Sequence, residues 1–160
     1  MIEVQAKQII TLRLLEEYTG CKLVPANTTK NLPAYPFISF SVINIDTKKG
    51  TYAQVGNTLY MPAKVKYSFT VQSDNEAEAL LKAMDVKDFF EEAKRQVLAD
   101  NEIIVADVGG ITPRDNLLTM EYEYRKGLDV TLSLNNIIAA SADTGEIDSI
   151  SINDINIEKE

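Results

Sequence analysis

A chain of 160 residues at 45% apolar composition can bury one core, and no Gly/Pro/Ser-rich linker divides it into two. Sixteen basic against 24 acidic side chains leave a net charge of −8, which argues against a broad electrostatic grip on nucleic acid. Histidine is absent and Cys21 is the one cysteine, which excludes Ser-His and Cys-His catalysis, histidine zinc sites and an intrachain disulfide.

A reducing compartment is the simplest setting for a lone thiol, and without a base Cys21 reads as a small buried hydrophobe rather than a nucleophile. The first residues interrupt their apolar pattern with Glu3 and Lys7, unlike a signal peptide, and no run approaches the ~18 apolar residues that span a bilayer. The expectation is a soluble intracellular product.

Residues 3–19 place Val4, Ile9, Leu12 and Leu15 at helical spacings, and Gly20 stands where a helix end favours a left-handed residue. Residues 21–36 mix three prolines with Asn and Thr and read as an extended connector. Asn27-Thr28-Thr29 matches a glycosylation acceptor by spacing alone. Phe37 to Ile45 is β-branched and aromatic on both faces, as in a central strand covered on each side. Residues 46–62 lose that pattern and hold Gly50 and Gly56, so a loop or an arm follows. Tyr52, Tyr60 and Met61 lie in this segment, and aromatic and methionine side chains are enriched at interfaces. They are candidate contact residues, or they fold back on the chain's own core.

Lys64 to Gln72 alternates strictly, with Val65, Tyr67, Phe69 and Val71 on one face, which predicts a half-buried strand. Ser73 and Glu76 have the spacing of a capping box opening a helix. Asp85 and Asp88 restart it after Met84, giving one long or two consecutive helices with Phe89, Phe90, Ala93, Val97 and Leu98 on one stripe. Ile103 to Val108 reads as a buried strand closed by Gly109-Gly110 and Pro113. No Gly-x-x-x-x-Gly-Lys follows those glycines, so they open no phosphate loop.

The stretch Tyr124 to Leu134 breaks an apolar alternation with Arg125-Lys126-Gly127. Leu118, Met120, Tyr122 and Tyr124 share parity with Leu128, Val130, Leu132 and Leu134. A three-residue hairpin loop at 125–127 preserves that register and puts Gly127 at a left-handed turn position. One continuous strand bent at Gly127 preserves it equally. After Asn135-Asn136 come small residues and then isoleucines at 150, 152, 155 and 157. From Asp143 to Glu160 six acids face only Lys159, so most of the negative charge lies there, in an edge strand or a semi-ordered tail.

Asp143-Thr144-Gly145 resembles the triplet of retroviral-type aspartic proteases, but the 15 residues after Gly145 are too few for the remaining strands of such a fold. Glu16-Glu17 and Glu91-Glu92 sit on expected helices, where a solvated face explains them. No cofactor and no metal is implied. The elements assemble into an α+β fold, mostly antiparallel sheet, with an N-terminal helix and a central helix or helix pair packed against it. Residues 1–140 form its one domain, and 141–160 the acidic C-terminal strand or tail of the same domain.

The helix ending in LLEEYTG, the strand PAYPFISF, the helix pair, VADVGGI and YEYRKGLDVTLSL occur in the order that resembles the bacteriophage neck or tail terminator family, over roughly Leu12 to Leu134. The resemblance implies a virion structural protein, assembled in the bacterial host cytoplasm, that forms a hexameric ring, caps the tail tube and joins it to the head connector. If the acidic residues line the lumen, the net charge of −8 would let DNA pass through without specific binding, and no membrane is involved. The resemblance also implies a structural or interface role for Arg125, Gly127 and Asp129 rather than catalysis. The alternative from another class is a small carboxylate-based enzyme or ligand-binding domain.

Overall fold

A computed structural model describes residues 2–47, 53–115 and 123–139, with side chains over 4–47, 53–115 and 123–135. Helix α1 (Ile2–Thr19) stops at Gly20, which takes φ +70° and donates its N–H to the Glu16 carbonyl at 2.9 Å. That left-handed residue ends the helix as the sequence predicts. The Lys82 ammonium donates to the Thr19 carbonyl at 2.8 Å, satisfying an acceptor that the helix itself leaves open. Val4 and Leu15 are buried, but Ile9 is 65% exposed, so the buried stripe is narrower than the apolar spacing implies.

The expected connector of residues 21–36 begins with a strand. β1 (Lys22–Pro25) pairs in parallel with the first four residues of β2 (Phe37–Thr47), and the chain returns through a cis Tyr35-Pro36 bond. β2 is not covered on both faces along its length. Phe37, Ile38 and Ser39 are buried, whereas Val42 to Asp46 are exposed: β1 ends opposite Phe40, and no described helix lies over the rest.

The expected loop or arm at 46–62 is largely strand. β3 (Ala53–Val55) and β4 (Thr58–Ser73) form a hairpin through Gly56-Asn57. β7 (Tyr124–Ala139) occupies one edge of β4 throughout, so β2 and β3 lie one after the other along its other edge. The alternation of β4 falls as read from sequence, with Val65, Tyr67, Phe69 and Val71 all at most 2% exposed.

Burial pushes the Tyr67 hydroxyl from its ordinary value of 10 up to about 12. The neutral phenol is shared by both states below pH 10, and above it the unfolded chain ionises first. Stability is therefore expected to fall by roughly 2 kcal/mol as pH rises from 10 to 12, a loss that Tyr67→Phe removes in alkaline melting curves.

The first turn of α2 (Glu76–Asp88) is capped by Asn75, not by Ser73: the Asn75 side chain accepts from the Glu78 N–H at 3.1 Å. Ser73 is fully buried at the strand end, where its hydroxyl accepts from the Asn75 N–H. Asn75→Ala is expected to cost about 1 kcal/mol by denaturant titration. The helix then widens into a π-turn (Phe89–Ala93) and continues as α3 (Arg95–Asp100), one interrupted rod in place of the two readings the sequence left open. Phe89, Phe90 and Leu98 are buried, but Ala93 and Val97 are exposed, since the π-turn rotates them off the stripe.

Among the described residues β5 (Ile104–Val108) pairs with β7 alone, at the end of the sheet, and it alternates Val105 inward with Ile104 outward instead of being buried on both faces. β6 (Thr112–Pro113) adds two further pairs, Thr112 with Gly127 and Pro113 with Lys126. The hairpin expected at Arg125-Lys126-Gly127 does not form: all three residues lie within β7, opposite Gln72, Val71 and Thr70 of β4. Gly127 is therefore not a turn residue and has no positive φ. Tyr122 and its apolar predecessors lie outside the described residues.

The sheet order is β1-β2-β4-β7-β5, antiparallel apart from β1 with β2. The helices pack on one of its faces, where Phe69 meets Phe90 at 5.4 Å and Phe90 meets Phe89 edge-on at 4.8 Å. The result is the expected α+β architecture. Cys21 sits in this core at 1% exposure, where burial pushes its thiol up and leaves it a poor nucleophile.

Candidate functional site

Strand alternation sends one set of side chains to the helices and the other to the opposite face, which is helix-free among the described residues. From β4 that face receives Ser68, Thr70 and Gln72; from β7 it receives Arg125, Gly127 and Asp129, which lie opposite them in register. Arg114, just beyond β6, lies across the bare backbone of Gly127. Its guanidinium donates to the Ser68 hydroxyl at 2.5 Å, the Thr70 hydroxyl at 3.0 Å and the Asp129 carboxylate at 2.9 Å. A Cβ on Gly127 would stand 2.6 Å from the Arg114 Nε, so any side chain here displaces the guanidinium from this position.

A second pair continues the same face. The Arg125 Nε donates to Glu123 at 2.9 Å, while its backbone N–H donates to the Asp115 carboxylate at 2.7 Å. The Tyr35 hydroxyl donates to the other Glu123 oxygen at 3.0 Å, and its ring stacks on Phe37 at 5.7 Å. Ser39, Gln72, Arg114, Glu123 and Arg125 border a cleft of about 350 Å³. Both guanidinium groups at this cleft, Arg114 and Arg125, are matched by carboxylates, Asp129 and Glu123. Among the described residues no group of three acidic or cysteine side chains is placed to hold a metal ion.

The sequence-selected residues fall in two places. Arg125, Gly127 and Asp129 come together in the Arg114 network. Tyr60 and Met61 lie near the other end of β4, with Ser68 eight residues further on, or about 27 Å along an extended strand. Both are half-buried and outside the core cluster, and between Ala53 and Pro62 no side chain is buried. Tyr52 and the Asp143 triplet lie outside the described residues. Sequence reasoning missed Arg114, Ser68 and Thr70. The available signal was Gly127 itself, a glycine in a strand pattern with a polar face opposite.

A phage neck terminator protein family model matches residues 7–160, nearly the whole chain. The chain belongs to the phage neck terminator protein family. No curated protein matches it. Membership gives the chain a structural role in a phage neck, with other phage head and tail proteins as the setting in which it works. No described helix is long and apolar enough to cross a membrane. Within this neck terminator the paired charges of that face form an ordered polar surface.

Proposed function

We propose that the protein forms a closed ring, probed first as a hexamer, that caps the tail tube and joins it to the head connector after assembly in the host cytoplasm. The observation that carries this reading is the family match over residues 7–160. Cyclic contacts between identical subunits close rings. The helix-free polar face, with Arg125 and Asp129 fixed by Glu123 and Arg114, and the unburied stretch carrying Tyr60 and Met61 supply two surfaces for such contacts. The net charge of −8 favours passage of DNA over adhesion, because phosphates are repelled by an acidic lumen.

Electron microscopy and light scattering of the purified protein, alone and mixed with tail tubes, test this directly. Rings, or density at one tube end, are expected. A monomer at every concentration that leaves tube ends bare would refute the reading. Tyr60→Ala is expected to weaken ring formation while leaving the melting temperature within a few degrees of wild type, since Tyr60 contributes nothing to the buried core. A collapse of the monomer instead would make Tyr60 a folding residue.

A further inference from the structure

Among the described residues the outer edge of β2 is left without a partner strand over most of its length. β1 ends opposite Phe40, so from Ser41 to Thr47 the outer edge of β2 has no described strand beside it. This edge is apolar: Val42, Ile43 and Ile45 are 39%, 52% and 39% exposed, and Asp46 is its one acid. Open edges of this kind recruit another strand, and natural proteins cover or charge them. Phe40 also borders an open groove of about 730 Å³ between α1 and β1, lined by Ile9, Leu12 and Leu23. Val42 and Ile45 stand opposite Tyr67 and Val65, on the same face of the sheet as that groove. Unpaired backbone and uncovered apolar surface therefore meet at one place.

The sequence holds one segment with the matching chemistry. Ile150 and Ile152 would share one face of an extended strand and Ile155 and Ile157 the other, an apolar pair to each face, and the flanking acids give Asp143 to Glu160 a net charge of −5. On the receiving side Lys64 and Lys66 are exposed on β4, about 10 Å from a strand added beyond β2. Lys48 and Lys49 follow β2 directly in sequence. The charges are complementary, and the distance is about one screening length at physiological salt.

We propose that the edge Ser41–Thr47 accepts, as an added strand, residues 147–157 of a neighbouring copy of this chain. This rests on the ring reading above and names the contact that would hold the ring together. Backbone hydrogen bonds supply the attachment, one isoleucine pair, Ile150 with Ile152 or Ile155 with Ile157, covers Val42, Ile45 and the adjoining groove, and the acids lie near the lysines. Such a tail-to-edge contact is heterologous, so it propagates from subunit to subunit until it closes.

The test uses the full chain with Cys21→Ala, carrying Ile45→Cys together with Ile150→Cys, Ile152→Cys or Ile155→Cys in turn. Mild oxidation of assembled protein is expected to give a ladder of disulfide-linked subunits for at least one pair and none for the single-cysteine controls. Rings with no link, or with links only inside one chain, would overturn the strand exchange while leaving the ring reading intact. Absence of self-association in the wild type, alone or on tail tubes, would overturn the ring reading and the exchange with it. A chain lacking residues 143–160 is the second arm. It is expected to melt as the wild type does but to remain monomeric; rings formed by this chain would also overturn the exchange.

Discussion

Phe90→Ala is expected to destabilise the protein by about 3–5 kcal/mol, a large share of the 5–15 kcal/mol that holds a domain of this size together. Phe90 is fully buried, and its ring touches Phe69 of β4 at 5.4 Å and Phe89 at 4.8 Å. It sits in the π-turn and is the largest side chain, with Phe89, that the interrupted rod of α2 and α3 buries against the sheet. Removing the ring leaves a void between rod and β4 that neither rigid element can collapse to fill. Guanidinium titration should show a lower midpoint with little change in slope. A loss under 1 kcal/mol would mean that the rod is not held at Phe90.

Gly127→Val is expected to cost about 2–3 kcal/mol, and for a different reason from the left-handed turn that the sequence implies. Gly127 has ordinary strand geometry. The new Cβ would meet the Arg114 Nε, Cδ and Cζ at 2.6–2.7 Å, and Arg114 is flexible enough to move aside. Moving it breaks its bonds to Ser68, Thr70 and Asp129, leaving the carboxylate unmatched on a partly buried face. The geometry thus carries its own control. In an Arg114→Ala background the Cβ meets no obstacle, so Gly127→Ala should be nearly neutral or mildly stabilising there, while costing about 1–2 kcal/mol with Arg114 present. Equal costs in both backgrounds would refute the assigned contact.

The comparison of these two sites shows what was readable in the chain. The face of β4 and the burial of Phe89, Phe90 and Leu98 followed from spacing, because a strand or helix with one covered face writes that face into its period. Gly127 could not be settled that way. A three-residue hairpin loop and an uninterrupted strand place Tyr124 and Leu128 on the same face, so parity is blind to the choice. What distinguishes them is β6 arriving from elsewhere to pair with Lys126 and Gly127.

β1 was hidden for a related reason. Lys22-Leu23-Val24-Pro25 is too short to show a period, and its partner lies beyond an eleven-residue return. Ile9 shows the converse: its spacing fits the helical stripe, yet docking leaves it beside the groove at α1 instead of in the core. At the candidate site, Arg125 and Asp129 were marked by the family resemblance alone, but Arg114 was not marked at all, since nothing local to it signals the strand it crosses.

The pairing of β4 with β7 over sixteen residues each has a mechanical consequence. Tension applied along the ribbon from opposite ends loads all its hydrogen bonds together, so the strands must slide past one another in a single concerted rupture. Tension applied across one end would peel the bonds in turn. A subunit gripped at the Tyr60 end by one neighbour and at the Tyr124 end by another would therefore carry load in its strongest direction.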